Sequence, residues 1–184
     1  MYHISNDVRA KQSAASIVRG LVIIAQNESL SDISVSDIVR ESKVCRSTFY
    51  RLFDNVIDVL VYACDCITEE ILISAGNLEA LNTQGVFLFL IDSIMNHDHL
   101  LETLIKAQRM DIFCMSFRNK LSAINHHLIK KYPIDEESAD YLNNIISVII
   151  LVLVTTWIQQ GKAESNYQIY KRLRSSFRIL NDLL

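Results

Sequence analysis

Lys43, Arg46 and Arg51 fall within one short stretch, KVCRSTFYRLF at 43–53, that contains no acidic residue. Ser47, Thr48 and Tyr50 stand among them. A guanidinium can pair bidentately with a guanine edge, hydroxyls bond phosphates or bases, and a tyrosine ring can meet a thymine methyl. The chemistry these side chains offer is recognition of a nucleic acid rather than bond-making. The sequence has no glycine-rich phosphate loop, no HExxH and no nucleophile elbow, so an enzyme is not expected. Its carboxylates at Asp135, Glu136 and Glu137 begin a helical pattern, where they favour the helix dipole.

The apolar residues around the basic ones decide how they are presented. Val44, Phe49, Leu52 and Phe53 are spaced to face inward from a short helix. Arg46, Ser47, Tyr50 and Arg51 then face out, with Thr48 at the margin. Before this helix, Ser34 with Asp37 three residues on gives a capping-box-like start, and Val35, Ile38 and Val39 form an inner face. ESKV joins the two as a tight turn. Two short helices across such a turn make the helix-turn-helix pattern, whose second helix must both anchor to a head and enter the major groove. A first helix is expected over 8–27, with Ala14, Ile17, Val18, Leu21, Ile24 and Ala25 as its stripe. A longer helix follows from Val56 to Ser74, striped by Val59, Leu60, Ala63, Ile67, Ile71 and Leu72. AGNLEALNTQG is a loosely structured join. Helices are expected at 83–95, 98–107, 109–131, 135–160 and 166–182, with Pro133 separating two of them and Gly161 closing the fourth.

Bulk numbers agree with this layout. The 184 residues suffice for a small domain joined to a larger one, half are hydrophobic, and one proline and four glycines favour long helices over a sandwich or barrel. Net charge is −3, but residues 1–60 hold seven Lys/Arg and seven Asp/Glu, net zero, with a positive spot at 43–51. Any field at the head is therefore local. Cys45, Cys64, Cys66 and Cys114 show no CxxC spacing and the N-terminal MYHISNDVRAKQ is polar, so reduced thiols in a cytoplasmic protein are expected. IISVIILVLVTTW at 145–157 is nearly all apolar, yet falls short of the ~20 residues that cross a bilayer. No membrane partner is expected. A helix apolar all round is buried on all sides, and in a chain this small one way to bury it is against a second copy.

Residues 34–60, SVSDIVRESKVCRSTFYRLFDNVIDVL, resemble the DNA-binding signature of TetR-type bacterial transcriptional regulators. Ser34, Val35, Ile38, Val44, Thr48, Phe49, Tyr50, Phe53 and Leu60 carry the match, which is specific over residues 10–60. The stretch TTWIQQGKAES is similar to the one that closes the penultimate helix in the branch of the dihydroxyacetone-kinase operon regulator. The resemblance implies an all-α fold: a three-helix helix-turn-helix head over 1–55 and a helical effector-binding and dimerisation domain over 56–184. It implies a ligand-responsive repressor, acting as a homodimer on a near-palindromic operator in double-stranded DNA, with no cofactor. By position it makes Thr48 and Tyr50 phosphate or base contacts, with Arg46, Ser47 and Arg51 on the groove face and Ser34 and Ser36 opening helix 2. Four positions depart from the pattern: Lys43 replaces a turn glycine, Cys45 a capping serine, Ser47 a glycine, and Val56 a phosphate-contacting lysine.

The body offers less. The stripe Ile169, Leu173, Phe177 and Leu180 lies opposite Lys171, Arg174 and Arg178, so 135–160 and 166–182 can pair with their copies as a four-helix bundle. Phe87, Met110, Phe113, Phe117 and Trp157 are candidates to line a pocket for an unknown small-molecule effector, beside Phe89, Met95 and Met115. His97, His99, His126 and His127 lack the His-x3-His spacing of a ready chelate, so no metal site is assigned and a metal-responsive regulator is the alternative for the effector. A helical interaction protein whose head no longer binds DNA is the other rival, suggested by Lys43 and Val56. Salt dependence of DNA binding would separate it.

Overall fold

Asp7 starts the first helix: its carboxylate accepts the backbone N–H of Arg9 at 3.1 Å, satisfying one of the donors that a helix N-terminus leaves unpaired. The structure is a computed structural model. It describes residues 1–76, 83–129 and 135–183. The described residues form α1 (Val8–Ala25), α2 (Val35–Ser42), α3 (Arg46–Leu52), α4 (Val56–Gly76), α5 (Thr83–Met95), α6 (Asp98–Lys106), α7 (Met110–Ile129), α8 (Glu136–Gln159) and α9 (Asn166–Leu183), with no strand among them. An isolated antiparallel bridge joins Tyr2 to Phe53. The all-α class and the helix order match the sequence expectation. The centre of the expected join, 77–82, and Pro133 lie outside the described residues.

The chain divides into two compact units, Met1–Thr68 with His99–Asn119 and Glu69–Asp98 with Lys120–Leu184. In the first, α1 contributes Ala10, Ala14, Ile17 and Leu21 to the core, α2 Ile38, α3 Phe49 and Leu52, α4 Val59 and Leu60, α6 Leu101 and Leu104, and α7 Phe113 and Phe117. Gly20 lets α1 approach α2 closely: a Cβ there would meet Ser42 Cβ and N at 3.1 Å each. Polar groups tie α4 to α7 within this unit. Ser116 Oγ lies 2.7 Å from Thr68 Oγ1 and donates to Asp65 Oδ1 at 2.5 Å, while the Tyr2 hydroxyl donates to Asp65 Oδ2 at 2.8 Å.

In the second unit Ile91 of α5, Trp157 of α8 and Ile169 of α9 form a buried cluster, with Phe87, Met95, Leu153 and Ile158 packed against it. The Trp157 indole N–H donates to the Glu164 carbonyl at 3.0 Å, and Gly161, at φ 76, turns the chain out of α8. Lys162 Nζ donates to Asp98 Oδ2 at 2.6 Å.

The apolar run at 145–157 lies within the 24-residue α8, close to the expected 135–160 helix; by length and composition α8 could cross a membrane, a test that the core helix of a soluble protein also passes. One expectation needs correction: Met115, a candidate to line a pocket, is instead 54% exposed on α7.

Candidate nucleic-acid interface

The exposed face of α3 depends first on α2. Ser34 and Asp37 form a reciprocal capping box: the Ser34 side chain accepts the Asp37 N–H at 3.3 Å, and the Asp37 carboxylate accepts the Ser34 N–H at 3.1 Å and its hydroxyl at 2.6 Å. Those bonds from Ser34, with Arg40 nearby, hold the Asp37 carboxyl below the usual aspartate range. Lys43 closes α2 in the left-handed region, φ 56 and ψ 26. The turn thus keeps the conformation a glycine would adopt at this position, with a lysine in it. Cys45 is the N-cap of α3 and gives it no side-chain capping bond, as expected of a thiol in place of a serine hydroxyl.

Seven residues make α3, and their burial alternates as the spacing predicts. Phe49 and Leu52 are buried, with Phe53 just beyond them, and Val44 is half-buried. Arg46, Ser47, Tyr50 and Arg51 are exposed, and Thr48 is half-buried at the margin. The Phe49 ring meets those of Tyr50 at 5.6 Å and Phe53 at 5.8 Å, and Phe53 in turn packs on Tyr62 of α4 at 5.7 Å, which ties the end of α3 to α4.

Two clusters form on the outward face. In the first, Arg46 Nη1 donates to Ser36 Oγ at 3.0 Å and Nη2 to the Tyr50 hydroxyl at 3.3 Å, with the guanidinium 5.5 Å from the Tyr50 ring centroid. Ser36 at the start of α2 and Tyr50 on α3 therefore fix one arginine between them. Its fork has five N–H donors, so several still point to solvent. In the second, Cys45 Sγ lies 3.3 Å from Ser47 Oγ and 3.0 Å from Thr48 Oγ1. Hydrogen bonds from the Ser47 and then the Thr48 hydroxyl favour the thiolate and bring the Cys45 pKa down from 9.0 to about 7. Arg51 and Lys43 are exposed on the same element. Ser34 is exposed at the start of α2, its side chain engaged in the capping box.

The far end of α3 is held by a segment to which helical spacing assigns no role. The His3 N–H donates to the Leu52 carbonyl at 2.8 Å, and the Tyr2 ring packs edge-on against Tyr62 of α4 at 5.2 Å. The only signal for this is an aromatic residue ahead of α1, which periodicity does not read. Val56 is the first residue of α4, half-buried, so no lysine stands there.

The five effector candidates separate. Phe113 and Phe117 stack at 6.1 Å in the core of the first unit, and Met110 begins α7 half-buried. Phe87 and Trp157 share the apolar cluster of the second unit. His97 is half-buried and His99 exposed, with Nδ1 3.8 Å from Glu102. The side chains of His126 and His127 lie outside the described residues, and no group of three metal-binding side chains occurs among the described ones.

No family model matches this sequence, and no curated protein matches it. Solved structures do. Lin0861 from Listeria innocua superposes with a TM-score of 0.82 at 18% identity, over 97% of this chain and 96% of its own. The fatty acid degradation regulator FadR from Bacillus halodurans gives 0.63 at 16% identity, over 93% and 95%. A TetR transcriptional regulator from Streptococcus agalactiae gives 0.61 at 16%, over 89% and 92%. At such identities the likeness is one of fold: this chain has the all-α fold of a TetR regulator over nearly its whole length.

Proposed function

We propose that the protein is a DNA-binding transcriptional regulator, a ligand-responsive repressor acting as a cytoplasmic homodimer on a near-palindromic operator. The observation that carries the reading is the Ser36–Arg46–Tyr50 cluster on the solvent face of a helix whose other face is buried. A guanidinium held by two partners is pre-oriented for bidentate hydrogen bonding, so little side-chain freedom is lost on meeting a guanine. Ser47, Thr48 and Arg51 extend that face toward bases and phosphates, and Ser34 and Ser36 lie where the N-terminus of α2 can meet a phosphate. Residues 1–55 read the DNA and 56–184 dimerise and sense. Lys43 keeps the left-handed turn. That departure therefore gives no support to a head that has lost DNA binding.

Dimerisation is supported by α8, which is apolar on two opposite faces. Ala139, Ile150, Val154 and Trp157 are buried, whereas Tyr141, Ile145, Val148 and Val152 are each more than half exposed. On α9 the apolar stripe runs from buried Ile169 to Phe177 and Leu180, which are 44% and 50% exposed. Two copies burying these faces form a four-helix bundle, and a two-fold pair presents its heads to successive major grooves. The effector acts by population shift, favouring the dimer whose heads are wrongly spaced.

The test is selection of bound sequences from a random duplex library at two salt concentrations. Recovery of a near-palindrome, bound more weakly at the higher salt, is the expected result. Recovery of no sequence above non-specific binding, with the dimer folded, refutes the reading.

A further inference from the structure

The two ends of α3 are held unequally. Its N-cap, Cys45, gives no side-chain capping bond, and seven residues make too short a helix to stand on its own hydrogen bonds. At the other end, the last carbonyls of a helix have no partner within it. The Leu52 carbonyl finds one outside: it accepts the His3 N–H at 2.8 Å, and Tyr2 pairs with Phe53 as an antiparallel bridge. Phe53 takes extended backbone, φ −142 and ψ 139, which lets it pair with that segment.

Tyr2 fixes the segment in turn. Its ring packs on Tyr62 at 5.2 Å, and Tyr62 packs on Phe53 at 5.7 Å. Its hydroxyl donates to Asp65 Oδ2 at 2.8 Å, while Asp65 Oδ1 accepts the Ser116 hydroxyl of α7 at 2.5 Å. Asp65 is half-buried and Ser116 is 6% exposed. Hydrogen bonds to a charged acceptor in such a place are stronger than neutral or exposed ones. The Met1 ammonium also reaches Asp54 at 2.8 Å and Asp58 at 2.6 Å, and His3 Nε2 lies 3.0 Å from Asp54. The Met1 and His3 side chains are 92% and 53% exposed, so these pairs add little beside the Asp65 bond.

We propose that Tyr2 is a positioning residue for DNA reading: latched to Asp65, it holds residues 2–3 as a strap on the end of α3 and so sets the angle at which α3 presents Arg46 and Tyr50. This deepens the regulator reading and rests on it. Tyr2 acts through Leu52, two residues from Tyr50 and six from Arg46. Recognition geometry must be held within about 0.5 Å and 10–20°, so slack at Leu52 costs base contacts first. Non-specific attraction to phosphates depends on charge and survives it.

The test uses the full chain and Tyr2→Phe, which keeps the ring packing and removes only the hydroxyl. Operator affinity, measured on the duplex recovered by selection, is expected to fall about tenfold, with affinity for a scrambled duplex of the same length unchanged. Exchange of the His3 and Phe53 amides with solvent should quicken about tenfold, while the Ile17 and Leu21 amides of α1 stay as they were. Asp65→Leu should reproduce both effects. Asp65→Asn should retain operator affinity within about twofold, because the amide can still accept from Ser116 and donate to the Tyr2 oxygen. Unchanged operator affinity in Tyr2→Phe overturns the proposal, as does unchanged exchange at His3 and Phe53. An equal fall on both duplexes overturns it too, since slack in α3 would then not be the cause. Asp65→Asn as weak as Asp65→Leu would show that the charge of Asp65, and not a latch on Tyr2, is what matters. Recovery of no operator by the unaltered protein refutes the regulator reading separately, and amide exchange then decides alone whether Tyr2 holds the end of α3.

Discussion

Replacing Lys43 by glycine should make the protein more stable. Lys43 sits at φ 56, ψ 26, where the Cβ of an L-residue crowds the following carbonyl and costs roughly 1–2 kcal/mol. Glycine has no Cβ and loses that strain, but its unfolded chain is freer by roughly 0.5–1 kcal/mol. At the midpoints of the two ranges the difference leaves a net gain of about 0.75 kcal/mol. For a chain of this size, that corresponds to a rise of about 1.5–3 °C in melting temperature if both units unfold together. Thermal melts followed by circular dichroism would measure it. Lys43→Ala is the control, since it removes the charge and the stem but keeps a Cβ in the left-handed region. If alanine raises the melting temperature as much as glycine does, backbone strain is not the cause. The gain would then belong to removing a lysine near Arg46 and Arg51, and the left-handed turn would carry no measurable cost.

Arg46→Ala and Tyr50→Ala should each weaken operator binding by ~1–3 kcal/mol while leaving dimerisation intact, and unchanged affinity in both would refute the outward orientation of these side chains on α3. Gly20→Ala should destabilise the first unit by about 1 kcal/mol in a denaturant titration: overpacking against the Ser42 backbone nitrogen, 3.1 Å from the new methyl, costs about 1–3 kcal/mol, and the better helix propensity of alanine within α1 returns roughly 0.5–1 kcal/mol of it. Cys45, with its pKa near 7, should alkylate first of the four thiols at neutral pH, at a rate that climbs with pH and levels off above 7. Cys64, pushed up to about 12 by burial, should react last, and mass mapping of the adducts would expose the reverse order. Val152→Asp, at a position 55% exposed on α8, should leave a folded monomer in sedimentation experiments, and a persistent dimer would place the interface elsewhere.

The parts of this fold that could be read from sequence are those set by local chemistry. The Ser34–Asp37 capping box, the break at Lys43, and the inward Phe49 and Leu52 against outward Arg46 and Tyr50 each follow from spacing within a few residues. The same holds for the start of α8 at Asp135, whose carboxylate accepts the Ser138 N–H at 2.7 Å. What escaped depends on residues far apart in the chain. Tyr2 meets Asp65, and Gly20 matters only because Ser42 arrives beside it. The effector candidates show the same limit. Size and flexibility selected Phe113, Phe117, Phe87 and Trp157 together, but only the packing assigns the first pair to the core of one unit and the second pair to the other. Asn143 and Asn144 stand side by side ahead of the apolar run, and only the packing tells them apart: Asn144 is exposed, whereas Asn143 is buried and its Oδ1 has no hydrogen-bond partner among the described residues.

The head combines near-neutral charge with a positive recognition helix, and this has a consequence for how it would read DNA. Seven basic and seven acidic residues within 1–60 cancel at a distance, so little long-range attraction to the phosphate backbone is available. Affinity must then come from contacts made close in, where Arg46 is already fixed by Ser36 and Tyr50. Val56 begins α4 where the resemblance implies a lysine, so on the proposed function it offers no charge for a phosphate contact of the kind that strengthens binding to any sequence. A head of this composition should bind non-specific DNA weakly and lose comparatively little affinity per decade of salt, because few counterions are released. Its discrimination would rest on bases rather than on charge. Adding Val56→Lys should therefore raise non-specific and operator affinity alike and steepen the salt slope by about one, leaving their ratio unchanged. If the ratio rose instead, the residue at 56 would be acting on the angle of α3 rather than on a phosphate, and the head would not be trading charge for contact.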